Sequence, residues 1–403
     1  MELGPIWRSM LGNKGGFILI AVQIAVTMTI LVNAVAIIQE RSGDMARPSG
    51  IDEANTFAFA SVSFVSDVDK KMLIDEDLEL LRKLPGVVNA TSSNSFPLRQ
   101  GGWSEGITLE PGKDQSDTSS AIYFADEHSV DTFDLKLIEG ENFSPNQVDW
   151  VIRETNVWPP VAIVTRALAE EMFPDETGSY LGKTIYMGDD NPVNIIGVVE
   201  RMQAPWASWA GLERSMLVPQ RRDAGFVRYI VRTEPGYRDE LMVQVEEMLA
   251  KSNPDRIIRS VTTMDQVRKL AYLGDAAMIK ILTFVVTLLT AITGLGIVGL
   301  ASFNVSQRTR QIGIRRALGA TRTAIMRYFM VENFVVSTVG VVAGGILAVA
   351  LNIFMVETFA LEPLSWYVIP AAMITLWVVG QLAVAGPARK ASNVPPAIAT
   401  RSS

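Results

Sequence analysis

The chain has 403 residues, of which 48% are hydrophobic and 20% charged, and its formal net charge is −7. Its mean hydropathy of +0.22 is high for a soluble protein with that share of charged residues. The sequence contains no cysteine, which excludes disulfides and thiolate metal sites. Its one histidine, His128, has no second imidazole with which to share a metal or a proton, so we interpret it as a solvated loop residue. We therefore predict no metal site.

Four apolar windows are long enough to cross a bilayer, for which about 20 residues suffice. The first stays apolar for longer than the ~7 to 15 residues of a signal-peptide core and ends in Gln39, Glu40 and Arg41, so we predict that it is a retained membrane helix. The predicted transmembrane helices are residues 17–38, 276–304, 329–354 and 366–386.

The distribution of charge predicts the orientation of these helices. Residues 44–275 carry 38 Asp and Glu against 23 Lys and Arg, whereas the rest of the chain carries 5 acidic and 13 basic residues. Short flanking segments rich in Lys and Arg stay in the cytoplasm. We therefore place residues 1–16, 305–328 and 387–403 in the cytoplasm, with the acidic domain 44–275 and a short loop, 355–365, on the outer side.

The external domain alternates β-branched segments with helical ones. Asn55–Val65 is typical of a strand, and Asp75–Leu84 has leucines spaced by three on one helical face. Arg166–Phe173 is predicted to be a helix with Thr165 as its N-cap. Such alternation predicts an α+β fold with a split β-α-β arrangement. Because the domain exceeds the ~100 to 200 residues of a typical single domain, it has room for two subdomains.

No catalytic residue is predicted. The segment GSYLGKT, Gly178–Thr184, approaches a phosphate-binding loop, but it has one residue too few before Gly-Lys-Thr and a strand, not a helix, is predicted after it. Adjacent carboxylates such as Glu170 and Glu171 diverge by about 100° on a helix and cannot address one bond. The sequence also has no Gly-x-Ser-x-Gly and no His-Glu-x-x-His motif.

Two tryptophans, Trp206 and Trp209, lie in the sequence APWASWAG of the external domain. Aromatic side chains are frequent anchors at contacts, so they are candidates for binding a partner protein on the outer side or an apolar cargo. They are also candidates for covering the domain's own core, because large aromatics are mostly buried. The exposure of the two side chains distinguishes the alternatives.

Residues 305–328 contain six arginines and no carboxylate. Ser306–Leu318 is predicted to be a helix that Gly319 closes in a left-handed conformation, and Thr321 is placed to cap the next helix. One interpretation is an amphipathic segment held by anionic lipid headgroups. The thin apolar face and the two glycines favour a second interpretation, a short rigid helix that contacts a cytoplasmic partner.

Small residues in the second and third spans are candidates for close helix packing, either within one subunit or across a dimer. Gln23 and Asn33 in the first span are costly in hydrocarbon and are expected to face the helix bundle. The candidate packing residues are Gly294, Gly296, Gly299, Gly340 and Gly344.

The sequence QRTRQIGIRRALGATRTAIMRYFMVENF, Gln307–Phe334, resembles the signature of the FtsX-like permeases. That signature runs roughly R-x-R-E-I-G-I-R-R-A-L-G-A-x-R-x-x-I and is followed by a glutamate in the next span. The main departure is Gln311, which lacks the carboxylate that the family usually has there. GPARKASNVPPAIATR, Gly386–Arg401, is similar to the closing motif of the family, and DLELLRKLPGVVNATSSNSFPL, LKLIEGENF, VAIVTRALAEEMFP and LGKTIYMGDDNPVNIIGVVE resemble a MacB-like periplasmic core.

This resemblance implies a permease subunit of a MacB-like ABC system in the bacterial inner membrane. It implies a porter-like β-α-β subdomain with a smaller inserted one, and a dimer with a second permease copy or a paralogue. The chain has no Walker A motif, so we expect a separate cytoplasmic ATPase subunit that uses ATP and Mg, no cofactor bound by this chain, contacts with membrane lipid and no nucleic acid.

The resemblance also implies that the 305–328 segment docks on the ATPase, with its arginines divided between acidic residues of the ATPase and lipid phosphates. The candidate coupling residues are Arg308, Arg310, Gln311, Ile312, Gly313, Ile314, Arg315, Arg316, Leu318 and Gly319.

The sequence is compatible with three functions. The first is tripartite export of a drug, peptide or similar cargo, with a periplasmic adaptor and an outer-membrane exit duct. The second is lipoprotein release or activation of a cell-wall hydrolase by the same force-transmitting machinery. The third, from another class, is an extracytoplasmic sensor or receptor, which would require a cytoplasmic signalling domain.

Overall fold

The computed structural model describes residues 14–63, 69–113, 116–152, 157–188, 190–223, 226–359 and 364–395. Most of the predicted N-terminal segment 1–16, residues 360–363 of the predicted outer loop and the end of the predicted tail 387–403 lie outside the described residues. The chain divides into two compact units. A helical unit consists of Met1–Ala46 with Gly274–Ser403, and a β-rich unit consists of Arg47–Leu273.

The elements follow one another in three groups along the chain. The first group is α1 (Lys14–Ala46), β1 (Thr56–Ser63), α2 (Lys70–Arg82), β2 (Val87–Ser93), β3 (Trp103–Thr108), β4 (Thr118–Phe124), α3 (Ser129–Thr132) and β5 (Leu137–Gly140). The second is β6 (Asp149–Ile152), β7 (Val161–Thr165), α4 (Arg166–Met172), β8 (Thr184–Met187), β9 (Asn191–Val199), β10 (Ser215–Val218) and β11 (Gln220–Asp223). The third is β12 (Phe226–Thr233), α5 (Arg238–Ser252), β13 (Arg256–Thr263), α6 (Met264–Ala271), α7 (Leu273–Gln307), α8 (Thr309–Ala317), α9 (Arg322–Phe359) and α10 (Val368–Ser392).

Four helices of the helical unit, α1, α7, α9 and α10, are long and apolar enough to cross a membrane. Each continues past at least one end of the predicted span, because hydropathy detects only the apolar part of a helix while the helix itself continues into polar residues. Ile24, Met28 and Val32, spaced by four on α1, are buried in one cluster with Val341 of α9 and Leu376 of α10. This cluster is the core of the helical unit.

Polar side chains on α1 also bond to neighbouring helices. Thr27 Oγ1 lies 2.8 Å from Thr293 Oγ1, and Gln23 Nε2 donates to a backbone carbonyl of α7 at 3.2 Å. Asn33 Nδ2 donates to the carbonyl of Ala348 in α9 at 3.3 Å. Gln23 and Asn33 therefore face the bundle, as the cost of an unsatisfied amide in hydrocarbon predicts.

The first sheet of the β-rich unit has the strand order β13-β1-β12-β2, and all neighbouring strands in it are antiparallel. It is built from two interleaved units, β1-α2-β2 and β12-α5-β13, which is the predicted split β-α-β arrangement. Phe57 and Phe59 alternate onto the face that the two helices cover. There they are buried in one cluster with Leu78 of α2 and with Leu241 and Val245 of α5.

The helix α2 begins at Lys70, five residues before the predicted start at Asp75. Its N-cap is Asp69, whose side chain accepts hydrogen bonds from the N–H groups of Lys71 and Met72. The prediction was wrong because it placed the start at a run of acidic residues, whereas that run lies within the helix.

The second sheet is inserted between β2 and β12. Its strand order is β5-β9-β7-β10-β4-β3-β8, and β8 also pairs with β9, so that six of its strands form a closed ring. Ile122, Val164 and Ile185 are buried in its core, which Leu168 and Met172 of α4 cover. The predicted α+β fold is confirmed, but the inserted subdomain, predicted to be the smaller, has the larger sheet. The short strands of this ring are separated by turns, which made its size hard to judge from the sequence.

A buried ion pair joins the elements of the first sheet. Arg256 Nη1 of β13 lies 2.5 Å from Asp77 Oδ2 of α2, and these side chains are 0% and 2% exposed. The same carboxylate oxygen accepts a hydrogen bond from Tyr229 Oη at 2.6 Å. Arg256 Nε also donates to the carbonyl of Leu249, near the end of α5, at 3.0 Å. One guanidinium and one carboxylate therefore connect both helices to the sheet.

Two ion pairs lie on the segments by which the chain enters and leaves the β-rich unit. Within the helical unit, Arg41 Nη1 near the end of α1 lies 3.1 Å from Asp275 Oδ1 near the start of α7. Within the β-rich unit, Arg268 Nε of α6 donates to Glu53 Oε2 at 2.8 Å. Burial raises the pKa of Glu53, but the hydrogen bonds from Arg268 and Ser49 outweigh it and leave the pKa below its ordinary value.

We expect Arg256→Ala to lower the free energy of unfolding by about 3 to 5 kcal/mol, because it leaves the buried Asp77 carboxylate without its charged partner. Arg259→Ala is the matched control, since Arg259 is exposed on the same strand. Its effect should stay within about 0.5 kcal/mol. Urea unfolding of the full chain in detergent measures both, and equal stability of the two variants would contradict the role assigned to the ion pair.

Candidate functional site

The candidate docking helix is α8, which ends just before Gly319. Gly319 has a φ of +97°, and its N–H donates to the carbonyl of Arg316 at 3.2 Å. Thr321 Oγ1 accepts from the N–H of Ala324 at 3.1 Å and so caps the start of α9. The glycine end and the threonine cap therefore lie where the sequence predicts them, but the helix begins at Thr309 and not at Ser306, because Ser306 and Gln307 continue α7.

One face of α8 packs inside the helical unit. Ile312 is 5% exposed and belongs to a buried cluster with Ile325 and Phe329 of α9 and Ala388 of α10. Gly313 beside it is also buried. Apolar packing therefore holds α8 against α9 and α10.

Three of the arginines contact groups of the same unit. Arg308 Nη1 lies 3.0 and 3.1 Å from the two carboxylate oxygens of Glu332. The guanidinium of Arg315 lies 5.1 Å from the centre of the Tyr328 ring. Arg316 Nη1 donates to a backbone carbonyl at the end of α10. These contacts fix the orientation of α8, and the positive charges of these arginines interact with groups of the helical unit itself.

The opposite face of α8 is open. Arg310 and Gln311 are exposed, as is Gly319. Ile314 is 45% exposed and Leu318 is 83% exposed, so both apolar side chains are accessible on this face. An exposed apolar pair beside an exposed arginine is suited to a protein contact with a dry centre and a charged rim.

The ten candidate coupling residues therefore divide into two sets. The sequence contained a signal for this division, because Ile312 and Ile314 are two residues apart and so point in different directions on a helix. The inner set, which contacts the rest of the helical unit although Arg315 is also exposed, is Arg308, Ile312, Gly313, Arg315 and Arg316. The outer set, which is exposed, is Arg310, Gln311, Ile314, Leu318 and Gly319.

Sequence reasoning assigned no role to Glu332 as the partner of Arg308. Glu332 is 8% exposed and lies on α9, one of the apolar helices. A carboxylate inside an apolar span is costly unless it is paired, and that signal could have identified it.

Glycines in the spans bring helix backbones together within the chain. A Cβ on Gly340 would lie 2.9 Å from the carbonyl oxygen of Ala21, and one on Gly344 would lie 2.6 Å from that of Ala25. Both distances are shorter than a side-chain carbon tolerates, so only glycine permits this approach of α9 to α1.

The three candidate glycines of α7 differ from one another. A Cβ on Gly296 would lie 2.7 Å from Gln23 Oε1, and one on Gly294 would make an ordinary contact with Val379. A Cβ on Gly299 would meet nothing within 4 Å. Close packing within the chain therefore involves Gly296 but not Gly299.

Trp206 and Trp209 are both half-buried, and their rings pack edge to face with centroids 5.7 Å apart. Part of each ring therefore remains accessible. The two residues combine the alternatives that the sequence left open, since each is partly covered by its own domain and partly available for a contact.

His128 is half-buried, unlike the solvated residue that the sequence predicts. Burial and the nearby Arg82 lower the pKa of its imidazole. Among the described residues no group of three His, Cys, Asp or Glu side chains is placed to hold a metal ion.

The comparisons with known proteins agree with these features. The family description "FtsX-like permease C-terminal" matches residues 283–396, and "MacB-like periplasmic core domain" matches residues 17–260, more than half of the chain. The chain therefore belongs to the FtsX-like permeases with a MacB-like periplasmic core, and is an ABC transporter permease of that type.

Individual relatives are distant. The chain is 26% identical over 282 residues to the macrolide export ATP-binding/permease protein MacB of Shewanella oneidensis, covering 65% of this chain and 40% of that protein. It is 24% identical over 354 residues to the uncharacterized ABC transporter permease YknZ of Bacillus subtilis, covering 81% of this chain and 78% of that protein. The crystal structure of the periplasmic region of MacB from Actinobacillus actinomycetemcomitans matches with 18% identity and a TM-score of 0.35, covering 57% of this chain and 97% of that one.

We expect Gly344→Ala to destabilise the chain by about 1 to 3 kcal/mol, because the added methyl group collides with the backbone of α1. Gly299→Ala is the control, since its methyl group meets open space while the gain in helix propensity is the same. Thermal unfolding in detergent compares the two variants. If Gly344→Ala is as stable as Gly299→Ala, close packing at this glycine does not stabilise the fold.

Proposed function

We propose that this chain is the membrane subunit of an ABC system in which a separate cytoplasmic ATPase, using ATP and Mg, drives motion of the periplasmic domain. The observation that carries the proposal is the two-sided α8. Its inner residue Ile312 packs among α9 and α10, whereas Ile314 and Leu318 are exposed. A helix that is fixed on one face and apolar on the other can transmit displacement from a partner to the spans.

The outer set supplies the contact in this proposal. Ile314 and Leu318 form its dry centre, and Arg310 and Gln311 lie at the rim, where charge steers association more than it adds affinity. Gly319 closes the helix and lets the chain turn into α9. The inner set acts by holding α8 in place.

The proposed setting is the bacterial inner membrane, with both termini and α8 in the cytoplasm. The charge distribution supports this orientation. In this setting, membrane lipid and a second permease copy or paralogue surround the apolar helices.

The proposed activity is export of a drug, peptide or similar cargo, with a periplasmic adaptor and an outer-membrane duct. Similarity to the macrolide export protein MacB of Shewanella oneidensis supports export, although the chain spans only about 40% of the length of that protein. The half-buried Trp206 and Trp209 are the proposed contact for the adaptor or the cargo.

Ile314→Asp should reduce recovery of an ATPase subunit with the affinity-purified full chain by about tenfold or more, because a carboxylate in the dry centre of the contact must be desolvated. The bound subunits are identified after purification in mild detergent, and their ATPase activity is measured. Membrane insertion should be unchanged.

Thr323→Asp is the matched control for that experiment. Thr323 is exposed in the first turn of α9, where a negative charge suits the helix N-terminus, so the variant adds the same charge without disturbing the fold. It should recover the ATPase as the unmodified chain does. Undiminished recovery and activity with Ile314→Asp would refute docking through the outer set.

A further inference from the structure

A cleft of about 290 Å³ opens within the β-rich unit, between its first sheet, the inserted ring and a two-stranded parallel sheet of β6 and β11. Arg228 and Phe226 of β12 line it from the first sheet, and Trp103 of β3 lines it from the inserted ring. Arg99, between β2 and β3, and Arg222 of β11 complete the charged lining. The volume lies near the lower end of the ~300 to 1,000 Å³ typical of small-molecule sites.

Within the described residues, these three arginines donate hydrogen bonds to neutral acceptors. Arg99 Nε donates to a backbone carbonyl at 2.9 Å, and Arg228 Nη1 donates to another at 2.8 Å. Arg222 Nε donates to the side-chain oxygen of Gln220 at 3.3 Å. Within the described part of the chain, none of the three guanidinium groups has a carboxylate oxygen within 4.0 Å. This is unexpected in a domain where acidic residues outnumber basic ones.

Arg221 also lines the cleft but, unlike these three arginines, it pairs with carboxylates. Its two terminal nitrogens each lie 2.6 Å from a carboxylate oxygen, of Asp75 and of Asp126. Arg221 therefore uses both of these nearby carboxylates, and the charge of the other three arginines is not neutralised by them.

The three arginines without a carboxylate partner have lowered pKa values. Burial and the positive charge of Arg99 lower the pKa of Arg228 to about 10. Burial also lowers the pKa of Arg99 and of Arg222, although Glu105 partly opposes the effect on Arg222. All three groups remain protonated at neutral pH, so a bound anion would stabilise them.

Aromatic rings surround the same charges. The guanidinium of Arg222 lies 4.9 Å from the ring centres of both Trp103 and Phe124, and that of Arg228 lies 4.2 Å from Phe226. Trp103 is 38% exposed and Phe226 is 42% exposed, so both can also contact a ligand. The cleft thus combines anion-binding groups with flat apolar walls.

We propose that this cleft binds a small amphipathic anion, in which an acidic group is attached to a flat apolar body. Arg99 and Arg228 bind the acidic group, and Trp103 and Phe226 contact the apolar body. The site goes beyond the proposed coupling to an ATPase, because it lies wholly within the β-rich unit and requires no contact with α8.

The test uses the full chain in lipid nanodiscs and two ligands with the same ring system, naphthalene-2-sulfonate and its neutral analogue naphthalene-2-sulfonamide. Isothermal titration calorimetry, with empty nanodiscs as the blank, gives the Kd of each. The sulfonate should bind about tenfold or more tightly than the sulfonamide, because only the sulfonate can pair with the arginines. Equal affinities, or no detectable binding of the sulfonate, would overturn the proposal.

Variants of the chain then test which residues contact the two ligands. Arg228→Gln should weaken binding of the sulfonate by about tenfold and leave the sulfonamide nearly unchanged. Arg259→Gln, which removes an exposed arginine elsewhere in the domain, should change neither. Trp103→Ala should weaken both ligands, since it removes an apolar wall that both of them contact. Thermal unfolding of each variant verifies the fold, and unaltered sulfonate binding by folded Arg228→Gln would refute the assignment.

Discussion

The buried carboxylate of Asp126, which follows β4 of the inserted ring, joins the ring to the first sheet and to a separate two-stranded sheet of β6 and β11. It is 0% exposed and lies 2.6 Å from Arg221 Nη2 of β11, while Thr91 Oγ1 of β2 donates to it at 2.7 Å. Arg82, at the end of α2, approaches it to 3.6 Å. Burial alone would raise the pKa of Asp126, but Arg221 and the hydrogen bonds from Thr91 and Ser129 together outweigh burial and keep the pKa below its ordinary value. The cluster also lies beside the cleft, because Arg221 both pairs with Asp126 and lines the cleft.

The helical unit is governed by a different constraint. Its helices are apolar on nearly all sides, so hydrophobicity alone does not select which faces meet in lipid. Selection comes from Gly340 and Gly344, which allow α9 to approach α1, and from the amides of Gln23 and Asn33. The packing is therefore specified by a few small or polar residues among many interchangeable apolar ones.

Much of the fold was accessible from the sequence because it depends on local or periodic signals. The four spans, the threonine cap of α4 and the glycine end of α8 are of this kind. What could not be predicted are contacts between distant positions, such as the proximity of Arg99 and Arg228 or the pairing of Asp77 with Arg256. These depend on sheet order, which periodicity does not reveal. The division of α8 into two sets was only partly accessible, because helical spacing separates Ile312 from Ile314 but does not say which of them is buried.

The ion pair between Arg41 and Asp275 has a mechanical consequence. β1 and β13, the first and last strands of the β-rich unit, are antiparallel neighbours whose outer ends meet at Phe57 and Thr263. The chain therefore enters and leaves the β-rich unit at adjacent strands of one sheet. Within the helical unit, Arg41 and Asp275 likewise join the end of α1 to the start of α7, so these two helix ends cannot separate without breaking the ion pair.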